Sequence, residues 1–228
     1  MIVEPVIIGI SGKSGVGKTT VANIFSECIG NGSSIVLSTD DLHKFERDDV
    51  SWKNITHFNP EANNLELGDF HISCLKKWKN IYRSSYNHES GKFDPPKNIS
   101  SKPFIINEGL HAYFTDDAVD LCDLKIYIDT EESLTKHWKI IRDTKYRGKS
   151  KKQVIESMNL REKDSHYIES QKKNSDVIIS FKNNTPIKNI GDDSETIQVE
   201  IVIEKNPSLE KKYEKLIEDF LKYYNNIS

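Results

Sequence analysis

Short apolar runs alternate along the chain with segments whose apolar residues recur at helical spacing. Such an alternation is typical of a mostly parallel sheet that helices cover on both faces. Residues 196–204 differ, because apolar and polar side chains alternate there as in an edge or antiparallel strand. Buried parallel strands are predicted for five apolar runs, at 6–10, 34–38, 103–109, 124–129 and 176–180.

Helical segments are predicted between and after these runs. In the segment 70–82 the apolar spacing places Trp78 in the core. A C-terminal strand and helix, residues 196–226, close the chain, and we expect this unit to be structural. The predicted helices begin near residue 17, cover 70–82, begin near 131, cover 154–168 and begin at Pro207.

Length and composition exclude several classes of protein. A chain of 228 residues suits one α/β domain, and its net charge of −3 gives no reason to expect a nucleic-acid partner. No apolar run approaches the ~20 residues that span a bilayer, and the first strand begins without a leader. We therefore expect a soluble, cytoplasmic protein with no membrane partner. The three cysteines lack CxxC spacing, which favours buried thiols.

The stretch Gly12-Lys13-Ser14-Gly15-Val16-Gly17-Lys18-Thr19 follows the first apolar run and opens the first helix. Its spacing is that of a phosphate-binding loop, in which backbone N–H groups and the helix dipole face a polyphosphate. Lys18 then reaches the β- and γ-phosphates, and the Thr19 hydroxyl binds Mg²⁺. The alternative is a glycine-rich turn without a ligand. The residues predicted to bind the phosphates of ATP are Gly12, Ser14, Gly15, Gly17, Lys18, Thr19 and Thr20.

Acidic residues follow two other predicted strands, at the sheet edge where ligands of open α/β folds bind. Asp40 could be a general base or a metal ligand, with the nearby His43 and Arg47 holding an anionic substrate. Capping of a following helix is the alternative role. Glu108 ends the strand at 103–109, where a carboxylate acts on Mg²⁺ in P-loop proteins.

Two further segments have a composition that suits substrate binding. Residues 86–96 are polar and turn-forming, as in a substrate loop or hairpin. Residues 139–152 contain seven cations among fourteen positions. Such a run is commonly a solvated helix face, but phosphoryl transfer needs mobile positive charge over the γ-phosphoryl group. We therefore predict a short helical lid over about 139–165.

Several specific motifs occur together between residues 6 and 179. One group comprises the phosphate-binding loop, Asp40–His43, Glu108-Gly109-Leu110-His111 and Ile168-x-x-Gln171 before Asp176-Val177-Ile178-Ile179. A second comprises His57-Phe58-x-x-Glu61-Ala62-Asn63, Tyr86–Gly91 with Asp94-Pro95-Pro96, and Trp138-Lys139-Ile140-x-Arg142-Asp143 with Arg147-Gly148. The first group resembles the phosphoribulokinase and uridine kinase family of P-loop kinases. The second resembles its phosphoribulokinase branch.

This resemblance implies one P-loop kinase domain over 1–228, with a P-loop NTPase-type α/β sandwich as its fold. It also implies an Mg²⁺-requiring transfer of the γ-phosphoryl group of ATP to a small acceptor, with ribulose 5-phosphate or an analogue favoured. By matching position, Asp40 is the implied base, with Lys18 and Arg142 as the other catalytic residues. The implied metal-side residues are Thr19, Glu108 and Asp143. The implied acceptor-binding residues are His43, Arg47, Tyr86, His88, Lys139 and Arg147.

Three alternatives to a sugar-phosphate kinase stay open. The first is a uridine or cytidine kinase, whose acceptor is a neutral nucleoside, and the second is a pantothenate or glycerate kinase of the same superfamily. The third is a regulatory P-loop protein that binds nucleotide without turnover and contacts a protein partner through the lid segment. The resemblance is also compatible with a homo-oligomer.

Overall fold

The computed structural model describes residues 4–30, 32–194, 197–207 and 209–227. Within these ranges the strands are β1 (Val6–Ser11), β2 (Ser34–Ser38), β3 (Ile81–Arg83), β4 (Tyr86–Asn87), β5 (Lys92–Phe93), β6 (Lys97–Ile99), β7 (Phe104–Gly109), β8 (Leu124–Thr130), β9 (Val177–Asn183) and β10 (Val199–Lys205). The helices are α1 (Lys18–Ile29), α2 (Leu65–Lys76), α3 (Asp116–Leu121), α4 (Glu132–Tyr146), α5 (Lys151–Glu162), α6 (Ser165–Glu169) and α7 (Lys211–Ile227).

A six-stranded sheet in the order β10-β9-β8-β1-β7-β2 forms the centre of the protein. Only β10 among these strands is antiparallel to its neighbour, so β1, β2, β7 and β8 end at the same edge of the sheet. The predicted α/β fold with a mostly parallel sheet is therefore confirmed. The edge strand predicted from Thr196 begins at Val199, and Thr196 lies outside the described residues.

Helices bury apolar side chains against both faces of this sheet. On one face α1 and α7 pack together, and the rings of Phe25 and Phe220 stack with their centroids 4.9 Å apart. On the other face α2 contributes Ile72 and Leu75, which pack with Ile105 of β7. None of the helices in the described ranges combines the length and apolar character that crossing a bilayer requires.

The predicted bounds of the helix over 70–82 are wrong at both ends. It begins at Leu65 and ends at Lys76, where the backbone N–H groups of Lys77 and Lys79 both donate to the Cys74 carbonyl. Trp78 follows with φ of 59° and is 42% exposed, so its predicted core position is also wrong. Burial then alternates along β3, which is the period of a strand and not of a helix.

The helix predicted over 154–168 is divided into α5 and α6. The division falls at Asp164, whose carboxylate accepts a hydrogen bond of 2.7 Å from the buried Thr56 hydroxyl. This hydrogen bond ties the break between the two helices to the segment that carries Thr56. The closing helix is also shorter than predicted, because it begins at Lys211 and not at Pro207.

The lid over 139–165 corresponds to the end of α4 with α5, and its motion stays a prediction.

Candidate active site

The phosphate-binding loop connects β1 to α1, as its spacing predicts. Gly17 has φ of 97°, a left-handed conformation that glycine adopts without strain. The Lys18 ammonium donates to the Lys13 carbonyl at 2.9 Å, so the lysine lies folded over its own loop. The start of α1 directly follows this loop, so its free backbone N–H groups lie at the predicted phosphate site.

Glu108 of β7 lies directly beside the start of α1. The Thr19 hydroxyl donates to its Oε1 atom at 3.1 Å. Burial raises the pKa of the Glu108 carboxyl, although the Lys18 charge opposes that rise. Burial likewise lowers the pKa of Lys18, which the charges of Glu108 and Asp40 oppose. Thr19, Glu108 and Lys18 therefore lie together, with a hydrogen bond joining the first two and opposite charges on the last two.

Asp40 is brought to the same sheet edge by the pairing of β2 with β7. Ser38 at the end of β2 is in register with Glu108, and Asp40 follows in a short 3₁₀ turn over Thr39–Leu42. A Cβ atom on Gly109 would lie 1.7 Å from the Thr39 hydroxyl oxygen. Only glycine at that position allows the two chain segments to approach so closely.

Two histidines contact the Asp40 carboxylate. His88 Nε2 lies 3.3 Å from its Oδ2 atom, and His43 Nε2 lies 3.9 Å from Oδ1. Burial tends to raise the pKa of Asp40, but the hydrogen bond from His88 and the charges of His43 and Lys18 outweigh it. The pKa is therefore held well below its usual value. Asp40 is ionised at neutral pH and can accept a proton.

The segment 86–96 forms the predicted hairpin from β4 and β5. The Arg47 guanidinium donates to the Glu89 carbonyl at 3.0 Å and also to the His88 carbonyl. The Tyr86 backbone N–H donates to the Asp41 carboxylate at 2.7 Å. These contacts fix the hairpin against the chain that follows β2, so that His88 lies beside the candidate base.

The basic residues of α4 converge on Asp143, which is 2% exposed. Its Oδ2 atom lies 3.1 Å from Lys139 Nζ, and its Oδ1 atom lies 2.8 Å from Arg142 and 3.6 Å from Arg147. Lys139 also donates to the Ser14 hydroxyl at 3.2 Å. Burial tends to raise the pKa of Asp143, but Lys139 and Arg142 lower it further than burial raises it. Lys139 therefore links α4 to the phosphate-binding loop, and Asp143 holds its ammonium from the same helix.

A cavity of about 650 Å³ lies between the phosphate-binding loop, the hairpin and α5. Asp40, Glu108, Lys18 and Thr19 line one side of it. Most predicted acceptor-binding residues line the rest, namely His43, Arg47, Tyr86, His88 and Arg147. Lys139 is the exception, because its ammonium is buried against Asp143 and Ser14. Its predicted contact with the acceptor stays a prediction.

Sequence reasoning missed four of the aromatic and basic residues that line the same cavity: Trp52, His57, Lys149 and Arg161. Lys149 lies inside the basic run, so its charge was the available signal. Arg161 lies on α5, a helix with no clear apolar face, and nothing in its sequence context marks it. Its guanidinium lies 5.8 Å from the centre of the Phe58 ring. Together with Arg47, Arg142 and Arg147, Lys149 and Arg161 make the cavity strongly cationic.

The oxygen atoms of Thr19 and Glu108 fit Mg²⁺, which prefers few protein ligands together with phosphate oxygens and water. Among the described residues no group of three or more His, Cys, Asp or Glu could hold a metal by itself. A metal here would therefore depend on the phosphates of a bound nucleotide. Both Asp143 oxygens contact cations, and its metal-side role stays a prediction.

Comparisons with known proteins agree with this geometry. The model of the Phosphoribulokinase / Uridine kinase family matches residues 7–188. Phosphoribulokinase of Synechocystis sp. is 35% identical over 175 residues, which are 76% of this chain and 53% of that protein. Uridine kinase of Bacillus pumilus is 32% identical over 182 residues, which are 77% of this chain and 86% of that protein.

Among solved structures, phosphoribulokinase from Rhodobacter spheroides shares the fold, with a TM-score of 0.69 at 20% identity. The match covers 92% of this chain and 84% of that one. By sequence, this chain spans about half the length of the phosphoribulokinases that it matches.

Proposed function

Because this chain belongs to the phosphoribulokinase and uridine kinase family, we propose that it transfers the γ-phosphoryl group of ATP to a hydroxyl group of a small sugar phosphate. Ribulose 5-phosphate or a close analogue is the favoured acceptor. The observation that carries the proposal is the cavity in which an ionised Asp40 lies between the phosphate-binding loop and a group of cations.

Asp40 acts as the base that orients and deprotonates the acceptor hydroxyl. Its depressed pKa keeps it ionised, and the hydrogen bond from His88 holds its carboxylate in place. Lys18 and Arg142 stabilise the charge that develops on the transferring group. Mg²⁺, held by Thr19 and Glu108 with the phosphates, supplies further charge neutralisation when bound. Positioning and electrostatics thus account for most of the catalysis.

The balance of charge favours a phosphorylated acceptor over a neutral one. After Lys18 and Arg142 are assigned to ATP, four cations still line the cavity: Arg47, Arg147, Lys149 and Arg161. A neutral nucleoside offers these groups no counter-charge. A phosphate dianion satisfies them through charge-assisted hydrogen bonds, which are worth roughly 1.5–3 kcal/mol each.

A uridine or cytidine kinase is the second candidate function. It is supported by the Bacillus pumilus relative, which this chain matches over 86% of that protein's length. The cationic cavity argues against it, because ribose and a pyrimidine carry no phosphate. The homo-oligomeric state and the cytoplasmic location stay predictions.

An acceptor panel tests the proposal directly. ADP release is measured with ribulose 5-phosphate, ribose 5-phosphate, glycerate, uridine and cytidine, each with ATP and Mg²⁺. We expect turnover with a sugar phosphate and a kcat that falls by about a thousandfold or more in Asp40→Asn with little change in the KM for ATP. Asp117→Asn, an exposed carboxylate on α3, is the matched control. Nucleotide binding without turnover of any acceptor would support the regulatory alternative.

The choice of acceptor is tested by Arg47→Ala. Loss of its contacts with a phosphate raises the KM of the best acceptor by about tenfold or more. Lys44→Ala removes an exposed cation three residues away that does not line the cavity, and we expect it to leave that KM unchanged. An unchanged KM in Arg47→Ala would favour a nucleoside or another neutral alcohol.

A further inference from the structure

A second cavity, of about 410 Å³, also borders the phosphate-binding loop, and Asp40 does not line it. Three aromatic rings from different elements line it: Trp138 of α4, Phe181 of β9 and Tyr224 of α7. The Trp138 and Phe181 rings meet edge to face with centroids 5.7 Å apart, and the Phe181 and Tyr224 centroids are 5.9 Å apart. The three rings thus form a continuous wall, which we call the aromatic wall.

The aromatic wall is continuous with the phosphate-binding loop. A Cβ atom on Gly17 would lie 3.7 Å from both the Trp138 and the Phe181 rings. Thr19 and Thr20, at the start of α1, line the same cavity. A nucleotide whose phosphates contact the loop and the first turn of α1 therefore extends its base towards these rings.

The polar groups of this cavity do not discriminate between purine edges. No carboxylate or carboxamide lines it among the residues that the structure describes. The hydroxyl groups of Thr20 and Tyr224 can donate or accept, so they suit an amino group or a carbonyl equally. The Arg142 guanidinium is held by Asp143 at 2.8 and 2.9 Å. Aromatic stacking, by contrast, tolerates every base, because each base has a π-face.

We infer that the aromatic wall binds the base of the phosphoryl donor by stacking, and that ATP and GTP therefore bind with similar affinity. The inference rests on the proposed kinase function and adds the basis of donor selectivity to it. It also gives α7 a functional role, since this helix contributes Tyr224 to the wall. Packing of Phe220 on Phe25 of α1 holds α7 in the position that this role requires.

Adjacent tyrosines on α7 provide a matched pair of variants. Tyr224 faces the cavity, whereas the Tyr223 hydroxyl donates to the Glu27 carboxylate on α1. Isothermal titration of the full chain measures Kd for ATP, GTP and tripolyphosphate in the presence of Mg²⁺. Tyr224→Ala and Trp138→Ala are compared with Tyr223→Ala, and no acceptor is needed.

We expect the Kd values of ATP and GTP to agree within about fivefold, and tripolyphosphate to bind at least about tenfold more weakly. Tyr224→Ala and Trp138→Ala should each raise the Kd of ATP about tenfold and leave that of tripolyphosphate unchanged, while Tyr223→Ala changes neither.

Three results would overturn the inference and leave the kinase hypothesis intact. These are equal affinity for ATP and tripolyphosphate, an unchanged Kd for ATP in both wall variants, or a preference of about a hundredfold for one purine. Binding of neither ATP nor tripolyphosphate would instead refute the kinase hypothesis, and the inference with it.

Discussion

Replacement of Asp143 by asparagine removes a carboxylate that lies against two cations of α4 and a third that directly follows the helix. Asp143→Asn keeps the shape of the side chain but leaves Lys139, Arg142 and Arg147 without their shared counter-charge. Lys139 is the most affected, because it is 2% exposed and cannot turn to water. We therefore expect a loss of stability that arises mainly from this one buried pair.

The size of this loss of stability follows from how deeply each partner is buried. Removing one partner of a buried ion pair costs roughly 3–5 kcal/mol. The Arg142 and Arg147 side chains are 35% and 23% exposed, so solvent screens much of their loss and they add little. We therefore expect the free energy of unfolding to decrease by about 3 kcal/mol, which lowers the Tm of a domain of this size by about 6–12 °C.

The pH dependence gives this loss a recognisable signature. Burial and the nearby Arg161 charge lower the pKa of Lys139 to about 7, although Asp143 opposes them. Between about pH 7 and the ordinary pKa of lysine, the Lys139 side chain binds a proton in the unfolded chain but not in the folded protein. Stability contributed by this group therefore rises with pH over that interval. Because Lys139 is charged at pH 6 and largely neutral at pH 9, Asp143→Asn should cost more at pH 6.

Urea denaturation followed by circular dichroism measures these differences at the two pH values. A double-mutant cycle with Lys139→Met isolates the pair, because replacing both partners restores part of the stability that one replacement removes. Asp193→Asn removes the exposed partner of Lys145 on the same helix and should cost less than about 1 kcal/mol. A cost below about 1 kcal/mol for Asp143→Asn at pH 6, or no coupling with Lys139→Met, would refute the reasoning.

Three further predictions test other parts of the site. Arg161→Ala should raise the KM of the acceptor about tenfold while leaving that of ATP unchanged, which steady-state kinetics with each substrate varied would reveal. Burial lowers the pKa of His111 to about 4, so the unfolded chain binds more protons between about pH 4 and 6.5, and stability should fall as the pH drops. His111 alone should account for about 3 kcal/mol of the loss seen in denaturation curves over this range, and His111→Gln should remove that part. Thr19→Val should raise the Mg²⁺ concentration for half-maximal activity, and an unchanged Mg²⁺ titration would contradict the metal-side role of that hydroxyl.

The parts of the site that the sequence predicts are those whose chemistry lies in one contiguous stretch. The phosphate-binding loop is recognisable because glycines, Lys18 and Thr19 must follow each other at fixed spacing between a strand and a helix. Asp40 and Glu108 are predictable for a related reason. Parallel strands end at one sheet edge, so residues that follow two such strands meet even when far apart in the chain.

The burial of Lys139 illustrates a feature that the sequence pattern does not predict. Its charge and its place in a basic run predict a solvent-facing or ligand-facing side chain. The structure instead buries it, since α4 lies against the phosphate-binding loop and Asp143 follows one helical turn later. Neither fact is visible from periodicity, which treats every charged residue as polar surface. Arg161 and the aromatic wall escaped prediction similarly, because tertiary packing alone brings their elements together.

The cations of the cavity connect the stability of the protein with its proposed chemistry. Burial lowers the pKa values of Arg147, Lys149 and Arg161, and their mutual repulsion lowers them further. Asp143 and Asp40 offset only part of this repulsion. The free protein is therefore held in an electrostatically unfavourable arrangement that an anionic ligand relieves. Such an arrangement lowers stability, yet it gives a dianionic acceptor a site that is already assembled, with little reorganisation needed when the phosphate binds. The same cavity holds Asp40, whose ionised form is favoured by His88, His43 and Lys18, so two of the groups proposed to bind the acceptor also lie against the proposed base.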